Sequence, residues 1–161
     1  YKEKIMSNTE SIKLLRSETG AGVMDAKRAL EEANDDFEKA KDILKEKGIA
    51  DAEKRASRAT GQGVIESYIH QGNRLGAIIE INCETDFVAR TSEFKNLAKN
   101  LAMQVAAMDP ASIDNDNDSL MEQQYIKDSD KLIKELVQEV IAQTGENIKI
   151  KRFQRFEVGG E

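Results

Sequence analysis

Apolar residues recur at helical spacing through the first third of the chain. Leu14 and Leu15 pair in Ser11-Ile12-Lys13-Leu14-Leu15, which runs into Thr19-Gly20-Ala21-Gly22. Gly20 and Gly22 can adopt the left-handed conformation that ends one helix and aims the next. Val23, Ala26, Ala29, Leu30 and Ala33 then define one face of a second helix. Asn34-Asp35-Asp36 caps a third, which carries Phe37, Ala40, Ile43 and Leu44 and is expected to stop at Gly48. Residues 6–50 therefore predict a three-helix bundle with a small core. Residues 51–61 have good helical propensity but almost no apolar bulk, and read as a solvated helical linker.

The period changes at Gly61. Val64, Ile65, Tyr68 and Ile69 lie in a β-favouring run that ends at a Gly72-Asn73 turn signal. Leu75 to Asn82 is the return strand, and its aliphatic run predicts that both faces are largely covered. Ser92 to Met108 carries Phe94, Leu97, Ala98, Leu101, Ala102, Val105 and Met108 on one stripe and reads as a helix stopped by Pro110. Residues 109–119 are acidic and nearly free of apolar side chains, which predicts a mobile loop. Leu132, Leu136, Val140 and Ile141 mark another helix, ending at Gly145. Ile148, Ile150, Phe153 and Phe156 alternate with Lys149, Lys151, Arg152 and Arg155, a third strand with a kink between Lys151 and Phe153. The predicted fold class is α+β. The N-terminal bundle and linker lead into a core domain over residues 62–158, in which a three-stranded antiparallel sheet packs on helices in the order β-β-α-α-β.

Composition narrows the function. Charged residues make up 34%, aromatics 5%, and Trp is absent, which suits an aliphatic, helix-rich core. The net charge of −6 argues against a general nucleic-acid binder, which needs a basic surplus. Residues 109–139 hold nine acids and three bases, so the acidity is local and the rest of the chain is balanced. A single Cys, Cys83, excludes an internal disulfide and points to a reducing compartment. A single His, His70, leaves no His-based metal site and allows a Ser-His-Asp triad only around itself. No apolar stretch approaches the ~20 residues needed to span a bilayer, so no membrane partner is expected. Tyr1 to Ile5 is not a signal peptide and reads as a remnant or a processed end, with Met6 as the native start.

Few residues suggest catalysis. Glu80, Glu84 and Asp86 could act as paired carboxylates, but no His, Lys or Ser cluster accompanies them. Cys83 lacks a base to make thiolate, so a buried structural thiol is the better reading. Thr19-Gly20-Ala21-Gly22 superficially resembles a phosphate-cradling loop, without the preceding strand or the following Lys. As a helix–helix turn it leaves Val23 and Met24 at the start of a helix, as core or as an adaptable docking tip. Lys149, Lys151, Arg152 and Arg155 form a solvated strand face or a surface for an acidic protein, rather than an RNA site. Thr85-Asp86-Phe87-Val88 follows directly after a strand. Its aromatic is either a plug onto its own core or a finger into a partner.

These same segments resemble a known family. Thr19 to Leu30 (Thr-Gly-Ala-Gly-Val-Met-Asp-Ala-Lys-Arg-Ala-Leu) is similar to the N-terminal signature of bacterial-type elongation factor Ts. Asn82-Cys83-Glu84-Thr85-Asp86-Phe87-Val88-Ala89 is similar to its second signature. Tyr68-Ile69-His70, Gly145-Glu146-Asn147-Ile148 and Arg152 to Glu157 match in order. The resemblance implies an N-terminal bundle like ubiquitin-associated domains. It implies nucleotide exchange on elongation factor Tu, with no cofactor and no catalytic residue. By carry-over, Leu15, Arg16, Val23 and Met24 dock on the partner's nucleotide-binding domain. Asp86 and Phe87, within Thr85 to Val88, form a finger that disturbs the partner's Mg²⁺ site. His70 and Gly145 lie on the core face that presses on its phosphate-binding loop, although a lone His in a hairpin turn also serves simply as a solvent-exposed or capping residue.

The chain resembles the short form with one core module, which implies a homodimer in a bacterial cytoplasm or an organelle. Open sheet edges fit that pairing. Between Pro110 and Leu120 other members carry a longer helical insertion, so its contact is expected to be missing here. Thr144 stands where many members have an apolar residue. Two other classes compete. One is a module binding ubiquitin-like proteins or nascent chains, fused to a dimerisation domain; the other is a thiol enzyme using Cys83.

Overall fold

The computed structural model describes residues 8–160. The expectations for Tyr1 to Ile5 and Met6 lie outside the described residues. Three helices come first: α1 (Asn8–Thr19), α2 (Val23–Glu32) and α3 (Phe37–Arg55). Leu15, Ala26, Ala29, Leu30, Ala33, Ala40 and Leu44 form their common core. Asp36 caps α3 by accepting from the Lys39 N–H at 3.1 Å, and that bond chiefly holds its carboxyl below the usual range.

The third helix does not stop at Gly48. It continues about two turns to Arg55, and Ala52 joins the core of the following sheet. A helix-interior Gly costs only about 1 kcal/mol relative to Ala, and no left-handed cap turns the chain there. The segment after it is not loose either. Asn147 Nδ2 donates to the carbonyls of Ala56 and Arg58, at 3.3 and 2.8 Å.

Three long strands follow: β1 (Gln62–Ile69), β2 (Leu75–Cys83) and β5 (Lys149–Glu157). They form one antiparallel sheet in the order β1-β2-β5. Between β2 and β5 lie α4 (Asp86–Ala89), α5 (Ser92–Met108), a 3₁₀ turn at Leu120–Glu122, a hairpin of β3 (Gln124–Tyr125) and β4 (Asp128–Leu132), and α6 (Ile133–Thr144). The hairpin was not predicted, because its strands are short and largely polar. Buried Gln104 of α5 anchors it: its amide donates to Gln123 Oε1 and the Gln124 carbonyl, and its oxygen accepts from the Ile126 N–H. The acidic loop is not free. Ala111 donates to Asp118 O, Leu120 to Ser112 O and Met121 to Ile113 O, which closes it on itself.

Helix α5 covers only one face of the sheet, so the expectation of cover on both faces fails. Ala77, Ile79, Ile81 and Cys83 of β2 are buried beneath it, whereas Ile78 is 41% exposed. The kink in β5 is a bulge in which Arg152 faces Glu80 and Ile150 faces Ile81, leaving Lys151 unpaired. The extra residue turns Phe153 inward and Phe156 outward, so Phe156 does not belong with the core residues that alternation assigned to it.

Candidate functional site

The segment after β2 forms a single helical turn. The Thr85 hydroxyl accepts from the Val88 N–H at 3.3 Å, and the Ala89 N–H closes onto the Thr85 carbonyl at 3.3 Å. Val88 and Ala89 thereby enter the core. Phe87 points away and is 79% exposed, the most exposed of the large apolar side chains among the described residues. Buried and exposed apolar side chains thus sit one residue apart, and Phe87 does not plug its own core. Asp86 accepts from Arg90 Nη2 at 2.7 Å, an exposed pair one helical turn apart. Cys83 is fully buried, and burial pushes its thiol up to about 11, with the Glu146 charge adding to the shift. The thiol keeps its proton at neutral pH and donates to the Thr85 carbonyl at 3.1 Å, which removes the nucleophile reading.

A second turn holds this one. Gly145 caps α6 in the left-handed conformation, φ 72°, and turns Glu146 toward the finger. One carboxylate oxygen of Glu146 accepts from the N–H groups of Glu84 and Thr85, at 3.1 and 3.0 Å, and the other from the Thr85 hydroxyl at 2.6 Å. Glu84 returns the contact by accepting from the Asn147 N–H at 2.7 Å. The sequence reading assigned Gly145 but gave Glu84, Glu146 and Asn147 no role. An acid and an Asn directly after a helix-ending Gly were the available signal.

The other predicted residues lie elsewhere. Val23 and Met24 open α2 and are 49% and 57% exposed, with Arg16 beside them donating to the Ala21 carbonyl at 3.3 Å. Leu15 faces the opposite way. It is fully buried in the bundle core, and Leu14 is the exposed leucine of that helix. His70 begins the β1–β2 turn and is exposed, its Nδ1 3.0 Å from the Tyr68 hydroxyl. Ile69 pairs with Gly76 and Gln62 with Cys83, so His70 and the finger base sit at opposite ends of a hairpin about 25 Å long. Gly145 lies at the finger end, apart from His70.

The uncovered sheet face forms a further surface. Ile65 and Ile69 of β1, Ile78 of β2 and Phe156 of β5 share it. A Cβ on Gly76 would lie 2.7 Å from Ile69 Cδ1, so the glycine makes room for a groove of about 430 Å³ between Ile69 and Phe156. No group of His, Cys, Asp or Glu among the described residues could hold a metal ion. No helix of the described residues is long and apolar enough to cross a membrane.

The family model described as Elongation factor TS matches residues 26–118 and 84–161. An elongation factor Ts of a Thermoanaerobacter species is 42% identical, covering 96% of this chain and 96% of its own length. One from Thermotoga neapolitana is 46% identical over 93% of this chain and 96% of its own length. A chloroplastic elongation factor Ts of Guillardia theta is 44% identical over 94% of this chain and 89% of its own length. The Thermoanaerobacter alignment runs over 195 positions, so that relative carries residues this 161-residue chain lacks.

Proposed function

The chain belongs to the elongation factor Ts family of translation elongation factors, and from that premise we propose that it is a guanine nucleotide exchange factor for elongation factor Tu. A GTPase that holds GDP at about 1 nM and binds it at about 10⁶ M⁻¹s⁻¹ releases it in about 10³ s. Protein synthesis needs faster turnover. A factor that binds the nucleotide-free state better than the GDP state weakens GDP by the same factor by which GDP weakens it. It makes no covalent bond and requires no cofactor of its own.

One observation carries this reading: a bare aromatic, Phe87, rides on a turn whose next two residues are buried. In the partner, Phe87 wedges beside the Mg²⁺ site and Asp86 fixes the finger through Arg90. Mg²⁺ demands near-ideal octahedral ligands, so a small displacement releases it and loosens the phosphates. Arg16, Val23 and Met24 dock the bundle on the nucleotide-binding domain, and Leu15 supports them from beneath. His70, with Gly145 at the finger end, acts on the phosphate-binding loop.

The distance between His70 and Phe87 supports a homodimer in which one GTPase meets parts of two chains. The apolar outer face is the surface that supports pairing best, more than the open strand edges. It is self-complementary, since Glu80 and Arg152 already neutralise each other on it at 2.7 Å. We place the chain in a bacterial cytoplasm, with an organelle as the alternative.

Stopped-flow release of a fluorescent GDP analogue from elongation factor Tu, chased with unlabelled GDP, tests the proposal. Release should accelerate with added chain, and Phe87→Ala should slow it more than tenfold at an unchanged thermal midpoint. A folded chain that leaves release unaltered removes the exchange function.

A further inference from the structure

The Phe87 side chain is 79% exposed, so little in its own packing sets its direction. That direction comes from the backbone of residues 84–89. The turn could be pinned by its neighbours in sequence, but its strongest restraint comes from 61 residues away. Glu146 takes both backbone N–H groups at the base of the turn and the Thr85 hydroxyl proton. With its proton committed to Glu146, the Thr85 oxygen presents a lone pair to the Val88 N–H, the first bond of α4. The finger lies between β2 and α5, and Glu146 lies between α6 and β5. Without the carboxylate, the bond from the Asn147 N–H to Glu84 still joins these two connections, but nothing from the second one holds Thr85 itself.

We propose that Glu146 is a positioning residue for exchange: its carboxylate locks the Thr85 turn so that Phe87 is presented to the GTPase in one orientation. The inference rests on the finger reading above. An aromatic that must enter a partner pays for ordering itself and its backbone at that moment, unless the turn is ordered beforehand. Docking through the bundle does not depend on the turn, because Val23 and Met24 are exposed on α2, whose buried residues belong to a separate core. Loss of Glu146 therefore falls on the exchange step and not on the first encounter.

The test is the exchange assay on the full-length chain with four forms: wild type, Glu146→Ala, Phe87→Ala and the double variant. Glu146→Ala should lower the maximal exchange rate roughly tenfold, with the half-saturating concentration unchanged. Glu146→Gln keeps one acceptor for the Thr85 hydroxyl and should reduce the loss to about threefold. On the Phe87→Ala background, Glu146→Ala should add nothing, because the residue it positions is gone. Amide hydrogen exchange at Thr85 and Val88 in the free chain should accelerate in Glu146→Ala. An unchanged maximal rate, or an equal further drop on the Phe87→Ala background, overturns the proposal. So do unchanged amides at Thr85 and Val88. If Phe87→Ala itself exchanges at the wild-type rate, the finger reading fails instead, and the amide measurement still reports whether Glu146 holds the turn. Should Glu146→Ala not fold, Glu146→Gln carries the same cycle, with a drop of about threefold that vanishes on the Phe87→Ala background.

Discussion

Phe87 and Val88 are neighbours with opposite fates, and substitutions should separate them. Val88→Ala deletes two buried methyl groups and should cost about 2 kcal/mol of stability, read by urea unfolding. Phe87→Ala should leave that curve in place while slowing exchange. A stability loss at Phe87 of similar size would make it a core residue after all. Leu15→Ala should cost about 2–5 kcal/mol, since Leu15 sits at the centre of the bundle core. The sequence pattern could not assign sides at this scale. Leu14 and Leu15 are adjacent and equally apolar, and one 100° step on the helix decides which is buried. The four-residue turn at Thr85 was too short for any periodicity, so plug and finger stayed open until the family motif pointed to the finger. Glu146 was invisible for another reason, because its partners are 61 and 62 residues away.

Helices with a single apolar stripe were legible to the residue: α5 runs over Ser92–Met108 as predicted, and α6 ends at Gly145. The end of α3 was not, because Gly48 signals a stop only when a left-handed turn or a Pro follows. Its extra length gives α3 a second job. The added turns carry Ala52 into the sheet core, while the middle of α3 packs on α6, where Lys45 pairs with Glu135. Burial alone would raise the Glu135 carboxyl. The Lys45 hydrogen bond, the Leu132 N–H and the charges of Lys45 and Lys131 outweigh it and hold the group below its ordinary value of 4.5. A lowered carboxyl stabilises the fold above the unfolded value and stops doing so as pH falls through the folded one. Thermal midpoints of wild type and Glu135→Gln should therefore differ by a constant amount above about pH 5 and converge as pH falls through the lowered folded value. A gap that persists in acid would place the contribution of Glu135 in its shape and not its charge.

For the whole molecule, the class and order of elements could be read from the sequence, but the exposure of the sheet could not. An aliphatic β2 reads as buried on both sides, and nothing in a sequence says whether the second cover comes from the same chain. The bulge at Lys151 is equally decisive, since it moves Phe156 to the outer face. On the proposed pairing through this face, Ile69→Asp combined with Phe156→Glu should shift sedimentation from dimer to monomer without unfolding the chain, because neither residue is in the core. A dimer that survives both changes would move the interface to another surface. The length of the β1–β2 hairpin also sets how exchange responds to dilution. If the finger and the histidine that reach one GTPase come from two chains, then below the dissociation constant of the pair the rate scales with the square of protein concentration. Halving the protein should quarter the rate, whereas an exponent of one would mean that a lone chain does the work.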